Sequence, residues 1–200
     1  MTDLLAPDLL ATFDALFAEA EAAGEPDPTA MTLASADAGG RPAARTVLLK
    51  AHDARGFVLL HHLDGRKGRE LQANPQAALL FHWKARARRR AGADRGRGRV
   101  VGDAEADAYF AIAPARQPDR AVGLAQSETL DRATPSNQRI ARFERSSRAA
   151  RCRARRAGAG FRVVPDRRRV LVRRAIPPAR ALAVRTRCRR HEWSKRMLYP

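Results

Sequence analysis

Two hundred residues suit one domain with a sizeable core, and the formal net charge of +18 first raises a nucleic-acid or polyanion partner. Two well-separated cysteines, Cys152 and Cys188, with no C-x-x-C spacing exclude a disulfide scaffold or zinc knuckle. The start "MTDLLAPDLL" lacks the basic and apolar regions of a secretory signal, and no apolar run approaches the ~20 residues of a membrane helix, so a soluble cytoplasmic protein is expected.

The first element is an amphipathic helix over Pro7–Ala23. Leu9, Phe13, Leu16, Phe17 and Ala20 recur at helical spacing, and Gly24 supplies the stop. With the Pro-broken connector "EPDPTA" it forms a leading segment, 1–26, ahead of a main domain, 27–200. Three strand patterns follow, "AMTLASAD", "ARTVLLKAHD" and "GFVLLHHL", separated by turns at Gly39-Gly40 and Arg55-Gly56, and they predict a meander. "GRKGRELQAN" reads as a short helix ended by Asn74-Pro75, and "AALLFHW" as a central strand. Helix, three strands, helix, strand predicts an α+β architecture: an antiparallel sheet or barrel with helices to one side.

Past Lys84 the composition changes. Residues 1–84 carry 8 Lys/Arg and 11 Asp/Glu, whereas the rest carries 31 basic and 10 acidic residues. Seven of the fifteen residues in "ARARRRAGADRGRGR" (85–99) are Arg. A basic RNA- or DNA-binding segment is one reading of such a run. Against it, the arginines have little aromatic interleaving on which bases could stack and match no recognition motif.

Two basic spots in the ordered first part carry more chemistry. Arg45 and Lys50 bracket the strand "RTVLLK", and Arg66 and Lys67 open the short helix, where free backbone N–H groups and the helix dipole favour an anion. Arg45 and Lys50 lie an odd number apart, so a regular strand points them to opposite faces. His61 and His62 also face opposite ways, a poor geometry for one metal, and no metal site is expected. His82 and Trp83 read as core or rim residues.

The stretches "DPTAMTLASADAGGRPAARTVLLKAHDARGFV", "GRKGRELQANPQAALLFHW", "DAEADAYF", "GFRVVPDR" and "RMLYP" resemble the pyridoxamine 5'-phosphate oxidase family, densely over 27–84 and patchily afterwards. The resemblance implies a split β-barrel of antiparallel strands and a homodimer with FMN bound across its interface. It also implies oxidation of pyridoxamine or pyridoxine 5'-phosphate to pyridoxal 5'-phosphate with O2 as acceptor. Carried over by motif, it assigns Arg45, Thr46, Val47, Leu48, Leu49 and Lys50 to the flavin strand, with Arg45 on the FMN phosphate. Leu60 and His61 stand where the family has an aromatic–polar pair beside FMN. Arg66 and Lys67 match its phosphate-binding Arg-Lys pair. Gln126 and Ser127 match a Gln-Ser pair that reaches FMN from the partner subunit. Lys50 and Tyr109 correspond to substrate contacts, Tyr109 to one on the substrate phosphate.

Departures from the family pattern concentrate in 85–125 and 168–191. "IAPARQPDRAVGL" replaces a motif of the form "SRPRDSQIGxWAS", so Ala113 stands where an Arg is expected. "RRVLVRRAIPPARALAV" replaces a strand "IEFW" and the substrate-binding "RLHDR". The genetic code offers a reason. Codons permitted for Ile112–Arg120, read one base later, spell Ser-Arg-Pro-Arg-Asp-Ser-Gln-Ile-Gly. Arg169–Val172 yield Glu-Phe-Trp, Ile176–Val184 yield Phe-Arg-Leu-His-Glu-Arg-Leu-Leu-Phe, and "LLHH" yields Phe-Tyr-Thr. These segments read as compensated frame slips, and the arginine excess as GC-rich codons out of frame. Taken literally, the chain is expected to have weak or no oxidase activity, with Arg, Pro and Gly disturbing two barrel strands. A divergent, non-oxidase flavin-binding split barrel is the alternative.

Overall fold

The computed structural model describes residues 9–60, 63, 65–84, 90–102, 104–106, 160–172, 180–187 and 192–198. Helix α1 (Leu9–Ala22) sets Phe13, Leu16 and Ala20 on one buried face, the i, i+3, i+7 spacing of a core-facing helix. It ends at Gly24, whose φ of +74° is the left-handed conformation that a β-carbon disfavours.

Strands β1 (Ala30–Ala36) and β2 (Pro42–Leu48) form the predicted hairpin, Leu33 opposite Arg45 and Ser35 opposite Ala43. β1 alternates strictly, burying Met31, Leu33 and Ser35. The predicted meander does not form. "ARTVLLKAHD" breaks after Leu48, and its end becomes a separate short strand, β3 (Ala51–Asp53), paired with β4 (Gly56–Leu60). The physical reason lies in the main-chain bonds at the break. The Leu49 amide donates to Thr29 O (2.9 Å), on the β1 side, and the next amide, Lys50, donates to Val58 O (2.9 Å), on β4. Two successive residues therefore carry the chain from one end of the sheet to the other. The hydrogen-bonded order is β2-β1-β5-β6-β7-β4-β3, so strands adjacent in sequence at Leu49–Lys50 close a curled, antiparallel half-barrel.

Helix α2 (Arg66–Ala73) and β5 (Gln76–Trp83) match the predicted short helix and central strand. From Arg90 onward the arginine-rich segment is also part of the sheet. β6 (Arg90–Val100) lies between β5 and β7 (Gly160–Val172), with a register irregularity at Arg95/Gly96. At Gly96 a β-carbon would fall 2.0 Å from Val164 O, so only glycine lets the strands approach there. β7 pairs with β6 along its length; on its other side it pairs first with β4, through Gly160–Val163, and then with β8 (Arg180–Arg187). β8 continues to β9 (Glu192–Leu198). A long strand shared between two different partners is what divides the barrel.

The core is aromatic. The Phe13 ring meets Phe57 at 5.0 Å and Phe81 at 5.1 Å, and Phe81 meets Trp83 at 5.5 Å, edge-on or tilted as the ring quadrupoles prefer. The Trp83 indole N–H donates to Pro28 O (2.9 Å), which joins β5 to the connector after α1.

Candidate functional site

Beneath the β1–β2 hairpin, α2 places one carboxylate among the basic residues singled out from the sequence. Glu70 is a turn after Arg66 on α2, and its side chain is 7% exposed. Its Oε2 accepts from the Arg45 guanidinium (2.6 Å) and from the Ser35 hydroxyl (2.6 Å). Its Oε1 accepts from Arg66 Nε (2.9 Å). Arg45 also donates to the Ser35 hydroxyl. The pleat explains the meeting: Leu33 and Arg45 are register partners, Ser35 is two residues on, and all three face α2.

The electrostatics follow from this packing. Burial pushes the Glu70 carboxyl up, but hydrogen bonds from Ser35, Arg45 and Arg66 outweigh it and hold the carboxyl below its ordinary value. Lys67, next on the helix, is shifted down, first by burial and then by the like charge of Arg45. Arg45 and Arg66 thus share one carboxylate on α2, with Lys67 close enough to Arg45 to feel its charge and Gly65 at the N-cap. Cations held near one another at a helix N-terminus, only partly neutralised, form a seat for an anion, above all for the oxygens of a phosphate.

The structure therefore brings together Arg45, Arg66 and Lys67. The other residues of the flavin strand distribute by the pleat. Val47 shares the inner face of Arg45 and packs on the core, whereas Thr46 and Leu48 lie on the exposed outer face. Leu49 is buried, and Lys50 is half-buried at the seam between β2 and β3. Leu60 ends β4 opposite Gly160. His61, Tyr109, Gln126 and Ser127 lie outside the described residues. Trp83 belongs to the core and His82 is exposed on β5.

Sequence reasoning passed over Ser35 and Glu70. Both had a signal: Glu70 follows Arg66 at i+4, a spacing that pairs charges on one helix face, and Ser35 is the polar member of the inward row Met31, Leu33, Ser35.

Comparisons with known proteins bear on this arrangement. The family model described as pyridoxamine 5'-phosphate oxidase matches residues 17–134. A pyridoxine/pyridoxamine 5'-phosphate oxidase of Xanthomonas euvesicatoria is 44% identical over 214 aligned residues, which cover 100% of both chains. One from Rhodopseudomonas palustris is 41% identical, covering 98% of this chain and 91% of its own. Among solved structures, PhzG from Burkholderia lata superposes with a TM-score of 0.84 at 21% identity, covering 97% of this chain and 93% of that one. An FMN-binding protein from Nostoc punctiforme gives 0.73 at 15% identity, covering 94% and 97%. These two similarities establish the split-barrel fold, and the sequence matches establish more: the chain belongs to the pyridoxamine 5'-phosphate oxidase family.

Proposed function

We propose that this chain binds FMN and serves as an FMN-dependent oxidase of pyridoxamine or pyridoxine 5'-phosphate, assembled as a homodimer. The observation that carries the reading is the convergence of Arg45 and Arg66 on one buried carboxylate of α2, with Lys67 beside Arg45. Its donor set fits a phosphomonoester: guanidinium groups for bidentate contacts, an ammonium, and the first amides of a helix. Bound FMN would supply the two-electron redox chemistry that no side chain provides.

The chain's own residues do the rest. Arg45 and Arg66 fix the phosphate end, and so the register of the cofactor along β2. Lys50 stands two residues past the end of β2, at the seam where main-chain bonding passes from the β1 side to β4, and the family places a lysine there near both flavin and substrate. Tyr109 is assigned to the substrate phosphate and Gln126-Ser127 to the cofactor of the partner subunit, each by motif alone.

A second reading, a flavin-binding split barrel without oxidase activity, is favoured by one specific observation. The segments at 112–124 and 176–184 lack the Arg-Pro-Arg-Asp and Arg-Leu-His motifs on which substrate binding in the family depends. One experiment orders the two. Purified protein is examined for bound flavin and FMN is identified after denaturation; pyridoxamine 5'-phosphate is then added and peroxide measured. Yellow protein with turnover supports the oxidase, yellow protein without turnover supports the second reading, and protein with no affinity for FMN rejects both.

A further inference from the structure

We propose that Glu70 is the positioning residue of this seat. The inference rests on the reading of this corner as a phosphate site and names the residue that organises it. Glu70 takes up Nη2 of Arg45 and Nε of Arg66, one donor from each guanidinium, while Nη1 of Arg45 is engaged by the Ser35 hydroxyl and Leu33 O, so the carboxylate ties the two guanidinium groups together. Ser35 holds the same Oε2 from beneath, so the carboxylate is clamped between two strands and a helix. A carboxylate that merely offset charge would weaken anion binding. One that pre-organises two arginines strengthens it, because the cost of ordering them is met on folding.

The test is the affinity of FMN relative to riboflavin, which lacks only the phosphate, measured by flavin fluorescence for wild type, Glu70→Ala, Glu70→Gln and Glu70→Asp. Wild type should prefer FMN. Glu70→Ala should lose at least tenfold in FMN affinity with riboflavin unchanged, Glu70→Gln should lose less, and Glu70→Asp should recover part of the loss. A purely structural role would weaken both flavins together. Unchanged or tighter FMN binding in Glu70→Ala and Glu70→Gln overturns the proposal. A wild type with no preference for FMN instead overturns the phosphate-seat reading, and that outcome is visible before any substitution is made.

A separate observation carries a second inference. On β6 the inward positions are Gly92, Asp94, Gly96 and Gly98, and the outward ones include Arg95, Arg97 and Arg99. On β7 the buried Arg168 is the register partner of Asp94, and Val170 is buried beside it. We infer that β6 and the part of β7 from Arg168 onward are encoded one base out of frame. Read one base later, an Asp94 codon followed by an Arg95 codon can specify only Ile or Thr. Gly92 becomes a position that permits Val, Arg168 one that permits Val, and Val170 one that permits Phe. Gly96 can remain glycine, as its contact with Val164 demands. The outward Arg95, Arg97 and Arg99 all permit Glu. The shift thus allows apolar residues at the buried positions 92, 94, 168 and 170 and acidic residues outside, converting the buried Asp94–Arg168 ion pair into an apolar contact. This is the pattern a central strand requires.

Sequencing the coding DNA across codons 84–103 and 164–192, with tryptic mass spectrometry of the protein from its source, decides the matter. A one-base slip after the Lys84 codon, compensated before Asp103, with peptides of the shifted reading, supports the inference. Detection of the literal tryptic peptide Ala-Gly-Ala-Asp-Arg, residues 91–95, overturns it.

Discussion

Two buried carboxylates, each facing arginine, behave in opposite ways. Glu70 on α2 has its carboxyl held below the ordinary range; Asp94 on β6, 1% exposed, has its carboxyl pushed up by burial despite the Arg168 guanidinium 2.6 Å away. The difference is the number of donors and the surroundings. Glu70 is met by a hydroxyl and two guanidinium groups at the edge of the barrel, and solvent reaches Arg45 and Arg66. Asp94 and Arg168 sit in the aromatic core, the guanidinium 5.0 Å from the Phe57 ring centroid. One polar cluster is open to solvent, as the proposed anion seat requires; the other is desolvated in a place where apolar side chains would pack. The lesson is that a buried ion pair is not by itself evidence of design.

The largest expected effect tests that contrast directly. Arg168→Ala leaves Asp94 charged, buried and unpaired, and should cost about 3–5 kcal/mol in urea unfolding. The double replacement Asp94→Ile with Arg168→Val should instead be neutral or stabilising, by up to ~4 kcal/mol, since apolar residues of similar volume avoid the desolvation penalty. A double variant as unstable as the single one would show that the pair is integral to the core.

At the seat, Arg45→Ala should weaken FMN binding by roughly 1.5–3 kcal/mol, the range for a hydrogen bond to a charged group, while leaving riboflavin binding unaltered. Fluorescence titration with both flavins reads the difference. Equal losses for the two would place Arg45 in the scaffold and not in the seat.

Much of this front region was legible in the residues. Helical spacing gave α1 and its glycine stop, strict alternation gave β1, and the Arg-Lys pair stands at the start of the short helix read from the sequence, where we propose the anion seat. The break at Leu49–Lys50 was not legible, because "RTVLLKAHD" carries no Gly or Pro to mark it. The break is imposed by barrel closure, a tertiary demand of two different strands for consecutive amides. β6 was hidden for a different reason. Its inward positions hold three glycines and an aspartate, so its side chains give no apolar period, and only pairing with β5 and β7 defines it. Glu70 was overlooked because a glutamate on a short helix is ordinary until Arg45 and Ser35, distant in sequence, are seen to meet it.

The pH dependence of stability separates the same two carboxylates. A carboxyl whose folded-state pKa is lowered stabilises the fold above its unfolded value, about 4.3 for glutamate, and the contribution is lost as pH falls through the folded value. The stability difference between wild type and Glu70→Gln should therefore be full near neutral pH and shrink below about pH 4. Asp94 has the opposite sign. Its raised value means that the folded state binds the proton more tightly than the unfolded state, so its ionisation costs stability as pH rises through the folded value. The advantage of the Asp94→Ile, Arg168→Val variant over wild type should accordingly grow with pH. Denaturant titrations at several pH values check both signs, and a parallel slope for the two comparisons would refute the assignment.

The smallest effect concerns a third cluster, where the comparison is made between two arginines on the same carboxylates. Arg162 on β7, its side chain 9% exposed, donates to Asp53 Oδ1 (2.6 Å), to Glu105 and to Gly56 O (3.2 Å), tying β7 to the β3–β4 hairpin. Arg55 donates to the same Asp53 and Glu105 from the turn, but its side chain is 66% exposed. Water competes for every bond that Arg55 makes, and salt screens it; Arg162 also satisfies a main-chain carbonyl that water does not reach. Arg55→Ala should leave the urea midpoint unchanged within error, and Arg162→Ala should lower it clearly. If added salt erased the effect of Arg162→Ala, the pair would be a surface contact like that of Arg55, and desolvation would not be what distinguishes the two.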